Sequence, residues 1–350
     1  MKTIGRTTRM PCVAQASQQG RSTAPMVGRR TLGKSGLEVS EVGIGAWSWG
    51  DRSNYWVGWT KEGSKEAYEK AMNLGLDFLD TAEVYGFGQS EEYIGEFMKT
   101  CPTERNPALA TKFAPLPWRQ TSGSVVGALE KSLARLGVDK VGLYMQHWPG
   151  FFLNAFSNEA TLEGLLQCYE KELCSAVGVS NFNAERVRNA GRFFERNGTC
   201  LASNQVQYSL LYREPENNGV LEACNEYGVQ LVAYSPIAQG LLSGKYSAAN
   251  PPSGPRRAYF TDSRFSQVAV LIDLLKKIAE ERNGEVTPSQ IAINWTMCKG
   301  ALPIPGAKNA AQVEDLVGSC GWRLSDAEVA ELDAVSGKVP QSTGAPFEKW

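Results

Sequence analysis

Along most of the chain, short apolar runs rich in β-branched residues alternate with longer stretches in which apolar positions recur at helical spacing. The spacing is clearest at Val126, Leu129 and Leu133, which fall on one face of a helix. Alternating strands and helices predict parallel strands joined by crossover helices. The four clearest amphipathic stretches are 63–74, 123–136, 159–171 and 185–195. The eight predicted strands are 42–47, 77–80, 108–113, 141–148, 175–182, 201–208, 229–236 and 300–306.

Eight strand-helix units favour a closed barrel over an open doubly wound sheet. Residues 30–40 predict a small hairpin that covers the bottom of this barrel. After the seventh strand comes a Gly-, Pro- and Ser-rich stretch, 238–261, and then a helical pattern over 266–297. Loops of that length are uncommon without a function, so the stretch predicts a lid. The predicted fold is α/β: a (β/α)8 TIM barrel with an N-terminal β-hairpin and extra helices after strand 7 and at the C-terminus.

Polar side chains follow the predicted strands at the point where each strand ends. Asp80, Lys112 and His147 come after three consecutive strands. The carboxyl ends of barrel strands form the face that carries active sites, so we expect these side chains to meet there. One such Asp or Lys could equally belong to a buried ion pair, but a ring of polar residues favours a site. The ring continues at Ser180, Asn181, Gln205, Tyr234 and Ser235.

The residues Asp80, Tyr85, Lys112 and His147 together suit proton transfer to a carbonyl oxygen. A tyrosine has an ordinary pKa of about 10, and a nearby ammonium group is expected to lower it. A carboxylate behind the lysine would orient the ammonium group, and the single histidine of the chain could hydrogen-bond a substrate oxygen. No metal site is predicted. These residues alone do not say what attacks the carbonyl carbon.

Seven motifs, in order, resemble those of the aldo-keto reductase superfamily, and most of all its plastid and cyanobacterial NADP-dependent members. The resemblance extends from about residue 30 to about residue 335. It implies a barrel that binds NADP(H) without a Rossmann motif, and the sequence contains no G-x-G-x-x-G. The motifs are LDTAEVYG (79–86), ATKF (110–113), LYMQHW (143–148), GVSNF (178–182), NQV (204–206), AYSP (233–236) and PIPGAK (303–308).

The resemblance implies a role for each residue of the catalytic set. Tyr85 becomes the general acid in an NADPH-dependent reduction of aldehydes or ketones to alcohols. Asp80 and Lys112 would tune Tyr85, and His147 would position the carbonyl group. Some relatives bind nicotinamide yet act as regulatory or partner subunits, so a binding protein with little turnover is the alternative. A structural protein of plastids or lipid bodies is a third possibility, and a small-molecule carbonyl compound is the expected partner.

The resemblance also implies the cofactor contacts. Ser180, Asn181 and Gln205 would bind the carboxamide, Tyr234 would stack on the nicotinamide, and Lys308 would bind a 2′-phosphate, which favours NADPH over NADH. The pyrophosphate would lie under residues 240–245, whose spacing departs from that of an ATP-binding P-loop. The predicted cofactor-binding residues are Gly45, Ala46, Trp47, Ser180, Asn181, Gln205, Tyr234, Ser235, Pro236, Gly240, Leu241, Ser243, Lys245, Gly306, Lys308 and Gln312.

Tryptophans are concentrated in the first half of the chain, where six of the nine lie before residue 150. Trp47, Trp118 and Trp148 fall at or beyond the rim ends of strands and are predicted to line the substrate pocket. Packing in the core is the alternative for each. An aromatic pocket would favour bulky or planar carbonyl compounds.

The first 37 residues contain no Asp or Glu but several basic and hydroxylated residues, a composition typical of an organelle transit peptide. An ordinary frayed terminus is the alternative. We therefore predict a chloroplast transit peptide over 1–28, the reductase barrel domain over 29–340 and a C-terminal tail over 341–350. The predicted location is the plastid stroma or plastid lipid bodies, with the mitochondrion or cytoplasm as alternatives.

The amino-acid composition excludes several other classes of protein. The chain has 350 residues, 42% of them hydrophobic, and a formal net charge of -1, which argues against a nucleic-acid binder driven by positive charge. No run of 18 apolar residues occurs, so no transmembrane segment is predicted. Eight scattered cysteines in a chain this long indicate buried free thiols, with a redox pair of Cys168 and Cys174 as the alternative. Oligomeric state is not predicted.

Overall fold

The computed structural model describes residues 27–103, 106–150, 158–282 and 284–341. It begins with an antiparallel hairpin of β1 (Arg29–Thr31) and β2 (Glu38–Ser40). Leu32 and Val39 of this hairpin are fully buried against residues inside the barrel, so the hairpin covers the bottom of the barrel. The predicted hairpin is therefore confirmed. Most of the predicted leader and of the 341–350 tail lies outside the described residues.

Eight parallel strands follow, and each pairs with its neighbours in chain order. The sheet closes on itself, because the amides of Gly43 and Gly45 donate to the carbonyl oxygens of Pro303 and Pro305, both at 2.9 Å. The predicted (β/α)8 barrel is confirmed. The strands are β3 (Ile44–Gly45), β4 (Phe78–Asp80), β5 (Ala108–Phe113), β6 (Val141–Gln146), β7 (Cys174–Ser180), β8 (Leu201–Gln207), β9 (Gln230–Tyr234) and β10 (Leu302–Pro303).

Helices pack around the barrel, and the helical pattern locates several of them closely. The predicted stretch 123–136 corresponds to a helix that begins after the N-cap Thr121 and ends at Gly137, whose left-handed backbone terminates it. The helices are α1 (Lys61–Leu74), α2 (Gln89–Thr100), α3 (Ser122–Leu136), α4 (Asn158–Glu170), α5 (Ala184–Arg196), α6 (Glu214–Asn217), α7 (Val220–Tyr227), α8 (Asp262–Glu281), α9 (Pro288–Cys298), α10 (Ala310–Val317) and α11 (Asp326–Ser336).

The two predicted additions to the barrel are present. Helix α8 is the extra helix after the seventh barrel strand, β9, and α11 is the extra helix at the C-terminal end. The first and last barrel strands are shorter than the predicted 42–47 and 300–306, because the chain leaves the sheet early to form the rim loops. Among the described residues, no helix has the length and apolar character needed to span a membrane.

All seven cysteines in the described part of the chain are free thiols, as the scattered spacing predicted. Cys168 and Cys174 are both buried. Burial raises the pKa of Cys168 to about 12 and raises that of Cys174 as well. A thiol with a raised pKa is a poor nucleophile at neutral pH, so neither is activated for thiol chemistry. Cys12 lies outside the described residues.

An ion pair with a buried carboxylate joins helices α2 and α3 to the barrel. The Glu91 carboxylate in α2 accepts from Arg135 Nε of α3 at 2.6 Å and from the Thr111 hydroxyl of β5 at 2.5 Å. The Glu91 side chain is fully buried. This carboxylate therefore connects two helices with the strand that carries Lys112.

Replacement of the Glu91 carboxylate tests how much it contributes to the stability of the fold. Glu91→Gln should lower the free energy of unfolding by about 1–3 kcal/mol, because the half-buried Arg135 guanidinium loses the carboxylate that accepts its hydrogen bond. Chemical denaturation followed by circular dichroism measures the change. Glu226→Gln is the matched control, since the pair of Glu226 with Arg188 lies at the surface and should change stability by less than about 1 kcal/mol. Equal effects of the two substitutions would contradict the assignment.

Candidate active site

Three of the four predicted catalytic side chains form one contact group at the C-terminal face of the barrel. Lys112 Nζ lies 2.7 Å from Asp80 Oδ2, 2.8 Å from the carbonyl oxygen of Thr81 and 3.4 Å from Tyr85 Oη. The Lys112 side chain is fully buried. Strands β4 and β5 pair with Asp80 opposite Ala110, so the register places the carboxylate and the ammonium group side by side.

Tyr85 stands on a short 3-10 helix, Tyr85–Gly88, that follows β4. Gly86 has a φ of 57°, and a Cβ atom there would come within 2.2 Å of the carbonyl oxygen of Gly50. Glycine is thus required where this turn packs against the β3–α1 loop. The close approach of the two loops fixes the direction in which Tyr85 enters the site.

The sequence-based expectation that the ammonium group lowers the Tyr85 pKa is wrong for this structure. Burial and the Asp80 carboxylate raise the pKa of Tyr85 well above its ordinary value of 10.0. The reason is that the charge of Lys112 is already paired with Asp80, so desolvation of the phenol dominates. Burial likewise lowers the pKa of Lys112, and Asp80 opposes that shift. Tyr85 is therefore a neutral phenol next to a compensated ion pair.

His147 completes the set on the other side of Tyr85. The two rings meet edge to face with centroids 5.6 Å apart, and the Trp148 ring lies 4.7 Å from His147. Burial, with a further contribution from Lys112, lowers the pKa of His147 well below 6.5. A neutral imidazole can donate one hydrogen bond without carrying a charge. His147 Nδ1 is buried and has no partner within the described residues.

The predicted carboxamide ligands belong to a connected polar network. Ser180 Oγ donates to the carbonyl oxygen of Gln205 at 2.7 Å and accepts from Asn181 Nδ2 at 3.1 Å. Tyr234 Oη donates to Asn181 Oδ1 at 2.9 Å. Gln205 Nε2 donates to Asp80 Oδ1 at 2.7 Å, so this amide nitrogen already has the Asp80 carboxylate as its partner. The network joins the predicted nicotinamide end to the catalytic set.

Aromatic side chains form a wall beside Tyr85. Trp47 is stacked 6.1 Å from Tyr85 and 5.6 Å from Tyr55, and it meets Trp56 edge to face at 5.3 Å. Trp47 and Trp148 thus lie on two sides of the catalytic set. Trp118 differs, because its side chain is 76% exposed and no ring contact in the described part of the chain joins it to this wall. Its place in the pocket stays a prediction.

A group of cations lies at the far end of the rim. Lys308 Nζ donates to the carbonyl oxygen of Val57 at 2.5 Å, and Arg256 Cζ lies 4.8 Å from the centroid of the Trp56 ring. Burial, together with the positive charges of Arg256 and Lys245, lowers the pKa of Lys308 to about 8. Arg256 was not predicted from the sequence, since it sits in the Gly- and Pro-rich stretch where no periodic pattern draws attention to it.

The remaining predicted cofactor residues lie at the rim between the group around Tyr85 and the cations around Lys308. Gly45 and Gly306 form a parallel bridge where the barrel closes. Gln312 Oε1 accepts from the Lys308 amide at 2.9 Å. Ser243 Oγ donates to the carbonyl oxygen of Gly240 at 2.6 Å. Ala46, Pro236 and Leu241 are buried at the rim, Ser235 is half-buried and Lys245 is exposed.

The donor set fits a phosphorylated dinucleotide. One end of the rim carries the amide side chain of Asn181, held by Tyr234, and the other end carries the cations Lys308, Arg256 and Lys245. Arg256 Nε is buried and without a partner in the described residues, so the cation group has unused hydrogen-bonding capacity. Neutral polar groups suit a nicotinamide, and unpaired cations suit phosphate. Ser180, Asn181, Gln205, Tyr234, Lys245, Arg256 and Lys308 are the residues that would hold such a cofactor.

The family model for the aldo/keto reductase family matches residues 41–336. The chain belongs to this family. That membership confirms the resemblance of the seven motifs. As members of the family use nicotinamide cofactors in carbonyl reduction, oxidoreductase chemistry on small carbonyl compounds agrees with the site described above.

Relatives within the aldo/keto reductase family resemble the chain over most of its length. A chloroplastic pyridoxal reductase of Arabidopsis thaliana is 37% identical over 315 residues, covering 87% of this chain and 86% of the relative. An aldo-keto reductase of Schizosaccharomyces pombe whose name specifies NADP(+) is 29% identical, covering 82% of this chain and 88% of the relative. A crystal structure of a thermostable aldo-keto reductase with the inhibitor epalrestat superposes with a TM-score of 0.69 at 27% identity, covering 88% of this chain and 99% of that one.

The lowered pKa of Lys308 predicts that anion binding depends on pH. With a pKa of about 8, Lys308 is largely charged at pH 7 and largely neutral at pH 9. A bound phosphate raises that pKa, so affinity is full below pH 8 and is lost above it, by at most about tenfold per pH unit. Calorimetric titration of the protein with 2′,5′-ADP from pH 7 to 9.5 measures the loss.

The groups that face Lys308 set the control for this titration. Arg256, Lys245 and Asp51 are the charged groups that act on it, and the Val57 carbonyl is its neutral partner. Lys308→Met should bind 2′,5′-ADP weakly, with little pH dependence in this range. An unchanged slope in Lys308→Met would assign the titration to another group.

Proposed function

We propose that this chain is an NADPH-dependent aldo-keto reductase that reduces aldehydes and ketones to alcohols, with Tyr85 as the general acid. The contact between Tyr85 Oη and Lys112 Nζ, beside the Asp80 carboxylate, carries the proposal. A phenol with a raised pKa stays protonated at neutral pH and can donate to a carbonyl oxygen once that oxygen becomes basic.

When bound, NADPH supplies the hydride for the reduction. As negative charge develops on the carbonyl oxygen, Tyr85 donates its proton and becomes a phenolate. The Lys112 ammonium group, which lies 3.4 Å from Tyr85 Oη, stabilises that phenolate. Asp80 holds Lys112 in place, and the neutral His147 orients the carbonyl oxygen by hydrogen bonding.

The choice of NADPH is supported by the cations at the far end of the rim. Lys308 lies close to Arg256 and Lys245, and the one acidic group that acts on it, Asp51, is the weakest of these influences. A 2′-phosphate brings negative charge that NADH lacks, so this end favours the phosphorylated cofactor. The NADP(+) named for the yeast relative agrees with this choice. Asn181, with Ser180 and Tyr234 beside it, would hold the carboxamide end.

The aromatic wall supports a planar substrate. Trp47 and Trp148 flank Tyr85 and His147, and flat aromatic faces prefer flat apolar partners. An aromatic aldehyde presents both a planar ring and a reactive carbonyl group. The name of the Arabidopsis relative makes pyridoxal the first such aldehyde to test. Trp118 is proposed as an outer contact at the mouth of the pocket.

We place the protein in the plastid stroma. The acid-free, basic and hydroxylated sequence of residues 1–28 has the composition of a transit peptide, and the Arabidopsis relative is named as chloroplastic. In this proposal the reductase domain spans 29–340, and residues 341–350 form a tail.

Tyr85→Phe tests the acid. The substitution removes one oxygen atom and should lower kcat by about 10²- to 10⁴-fold, because no group then donates the proton. NADPH affinity should be nearly unchanged, since Tyr85 lies at the chemistry end. NADPH oxidation by the full chain with pyridoxal, an aromatic aldehyde and a dicarbonyl measures the first effect. Quenching of tryptophan fluorescence by NADPH measures the second.

Two outcomes would contradict the proposal. Normal turnover by Tyr85→Phe would remove Tyr85 from the role of acid. Tight NADPH binding by the wild type without turnover of any carbonyl compound would instead favour the nicotinamide-binding partner protein. Tyr93→Phe is a matched control, because Tyr93 packs on Trp59 and Phe97 away from the catalytic set and its loss should leave kcat unchanged.

The leader is tested separately. A fluorescent reporter fused behind residues 1–28 should enter isolated chloroplasts and become resistant to added protease. The same fusion with its arginines and lysines replaced by glutamine should stay outside, because import sequences of this kind depend on positive charge. Import into mitochondria instead of chloroplasts would move the protein to the alternative location.

A further inference from the structure

The loop that carries Tyr85 is joined to strand β5 beyond the end of their shared sheet. The backbone pairing of β4 with β5 ends where the Thr81 amide donates to the carbonyl oxygen of Ala110 at 2.8 Å. Strand β5 continues past Ala110 to Phe113, while the other chain leaves the sheet and enters the short helix that begins at Tyr85. Beyond this level, only side chains can hold the two chains together.

The Glu83 carboxylate supplies such a contact. Glu83 Oε1 accepts from the Ala114 amide at 2.7 Å and also from Arg119 Nη1. Ala114 is fully buried, so its amide needs a partner inside the protein. The Glu83 side chain is only 8% exposed, and Arg119 Cζ lies 5.5 Å from the centroid of the Phe113 ring. One carboxylate oxygen therefore joins the loop after β4 to the loop after β5.

This contact lies next to both groups of the proposed acid along the chain. Glu83 comes two residues before Tyr85, and Ala114 comes two residues after Lys112. Tyr85 Oη and Lys112 Nζ are 3.4 Å apart, which is longer than the roughly 2.7–3.2 Å of most such hydrogen bonds. A small displacement of either chain would therefore break the contact between the phenol and the ammonium group.

Lys112 itself does not fix the turn that carries Tyr85. Its Nζ contacts Asp80 and the carbonyl oxygen of Thr81, and both of these residues precede the turn. The Tyr85 amide donates to the Ala82 carbonyl oxygen at 3.0 Å, so Glu83 lies inside the tight turn that leads to Tyr85. A movement of Glu83 is thus passed directly to Tyr85.

We propose that Glu83 is a positioning residue for the general acid, and that its contact with the Ala114 amide sets the distance between Tyr85 Oη and Lys112 Nζ. This inference rests on the proposed function, because Tyr85 is taken to be the acid. When Tyr85 gives up its proton, the phenolate is attracted to the ammonium group. A chain already held at this separation allows the contact to shorten without a movement of the loop.

The role of Glu83 is geometric rather than electrostatic. Its charge is paired with Arg119, and the carboxylate that raises the pKa of Tyr85 is that of Asp80. Glu83→Gln keeps an acceptor oxygen for the Ala114 amide and removes only the charge. Glu83→Ala removes the acceptor as well, and Glu83→Asp keeps the charge but shortens the reach of the side chain. The three substitutions therefore separate position from charge.

NADPH oxidation by the full chain, with pyridoxal and an aromatic aldehyde in H₂O and in D₂O, tests the proposal. Glu83→Ala should lower kcat by about 10- to 10²-fold, the cost of a reacting group misplaced by about 1 Å, while NADPH affinity stays unchanged. The solvent isotope effect on kcat should increase, because transfer of the Tyr85 proton becomes slower relative to the other steps. Partial unfolding alone would lower kcat and leave the isotope effect as it is.

The conservative variants complete this test. Glu83→Gln should retain most of the wild-type kcat, with the wild-type isotope effect, because the acceptor oxygen remains. Glu83→Asp should give an intermediate loss of kcat with a raised isotope effect. Because Glu83→Asp is the milder change, it provides the same test if Glu83→Ala does not fold.

Glu41→Ala is the matched control at the bottom of the barrel. The Glu41 carboxylate accepts from the Gly28 amide at 3.1 Å and pairs with Arg323, and its side chain is 11% exposed. It therefore has the same kinds of partner as Glu83, but at the face opposite to Tyr85. Its loss should destabilise the fold while kcat and the isotope effect of the folded protein stay unchanged. Circular dichroism at the assay temperature checks that each variant is folded.

The outcomes separate this inference from the proposed function. If the wild type reduces no carbonyl compound, or if Tyr85→Phe turns over normally, the proposed acid fails and the inference fails with it. If both behave as proposed but Glu83→Ala and Glu83→Asp keep the wild-type kcat and isotope effect, the inference alone is wrong. Equal losses in Glu83→Gln and Glu83→Ala would assign the effect to charge, and an equal loss in Glu41→Ala would assign it to general destabilisation. Either result also overturns the proposal.

Discussion

The buried ammonium group of Lys112 is the constraint on which the top of the barrel depends. A lysine with no exposed side-chain surface must be compensated, and Asp80 together with the Thr81 carbonyl does so. The second oxygen of Asp80 is in turn occupied by Gln205 from the opposite side of the barrel. One buried charge therefore ties β4, β5 and β8 together, and Tyr85 takes its position from that arrangement.

This constraint explains why the end of the rim around Tyr85 carries little net charge. The ammonium and carboxylate charges cancel, the phenol keeps its proton and the imidazole is neutral. The far end is the opposite, because Arg256, Lys308 and Lys245 leave an uncompensated positive charge. A molecule with phosphates at one end and a neutral ring at the other is thus oriented by the rim before any specific contact forms.

The sequence could predict those parts of the molecule that depend on local pattern. Helix α3 begins within one residue of the predicted stretch, because the Thr121 cap and the left-handed Gly137 mark its ends. Polar residues at strand ends predicted which side chains lie together at one face, because parallel strands of a barrel share one carboxyl face. The direction of the Tyr85 pKa shift could not be predicted from the sequence, since it depends on burial and on the pairing of Lys112 with Asp80. Arg256 was missed because only the folded loop brings it to Trp56.

The loop after β9 has a strained backbone that is fixed by contacts with neighbouring residues. Ser235, Ala238 and Gln239 all have positive φ values, a conformation that costs non-glycine residues about 1–3 kcal/mol each. Such a backbone persists only where its surroundings fix it, and here Gln239 is fixed through its side chain by Tyr55 and through its carbonyl oxygen by Arg256. The stretch that the sequence predicts to be a lid therefore contacts the β3–α1 loop through Gln239 and Arg256. Because the same two loops supply Trp47 to the wall beside Tyr85 and Arg256 to the cation group, any movement that separates them must disturb both ends of the proposed site together.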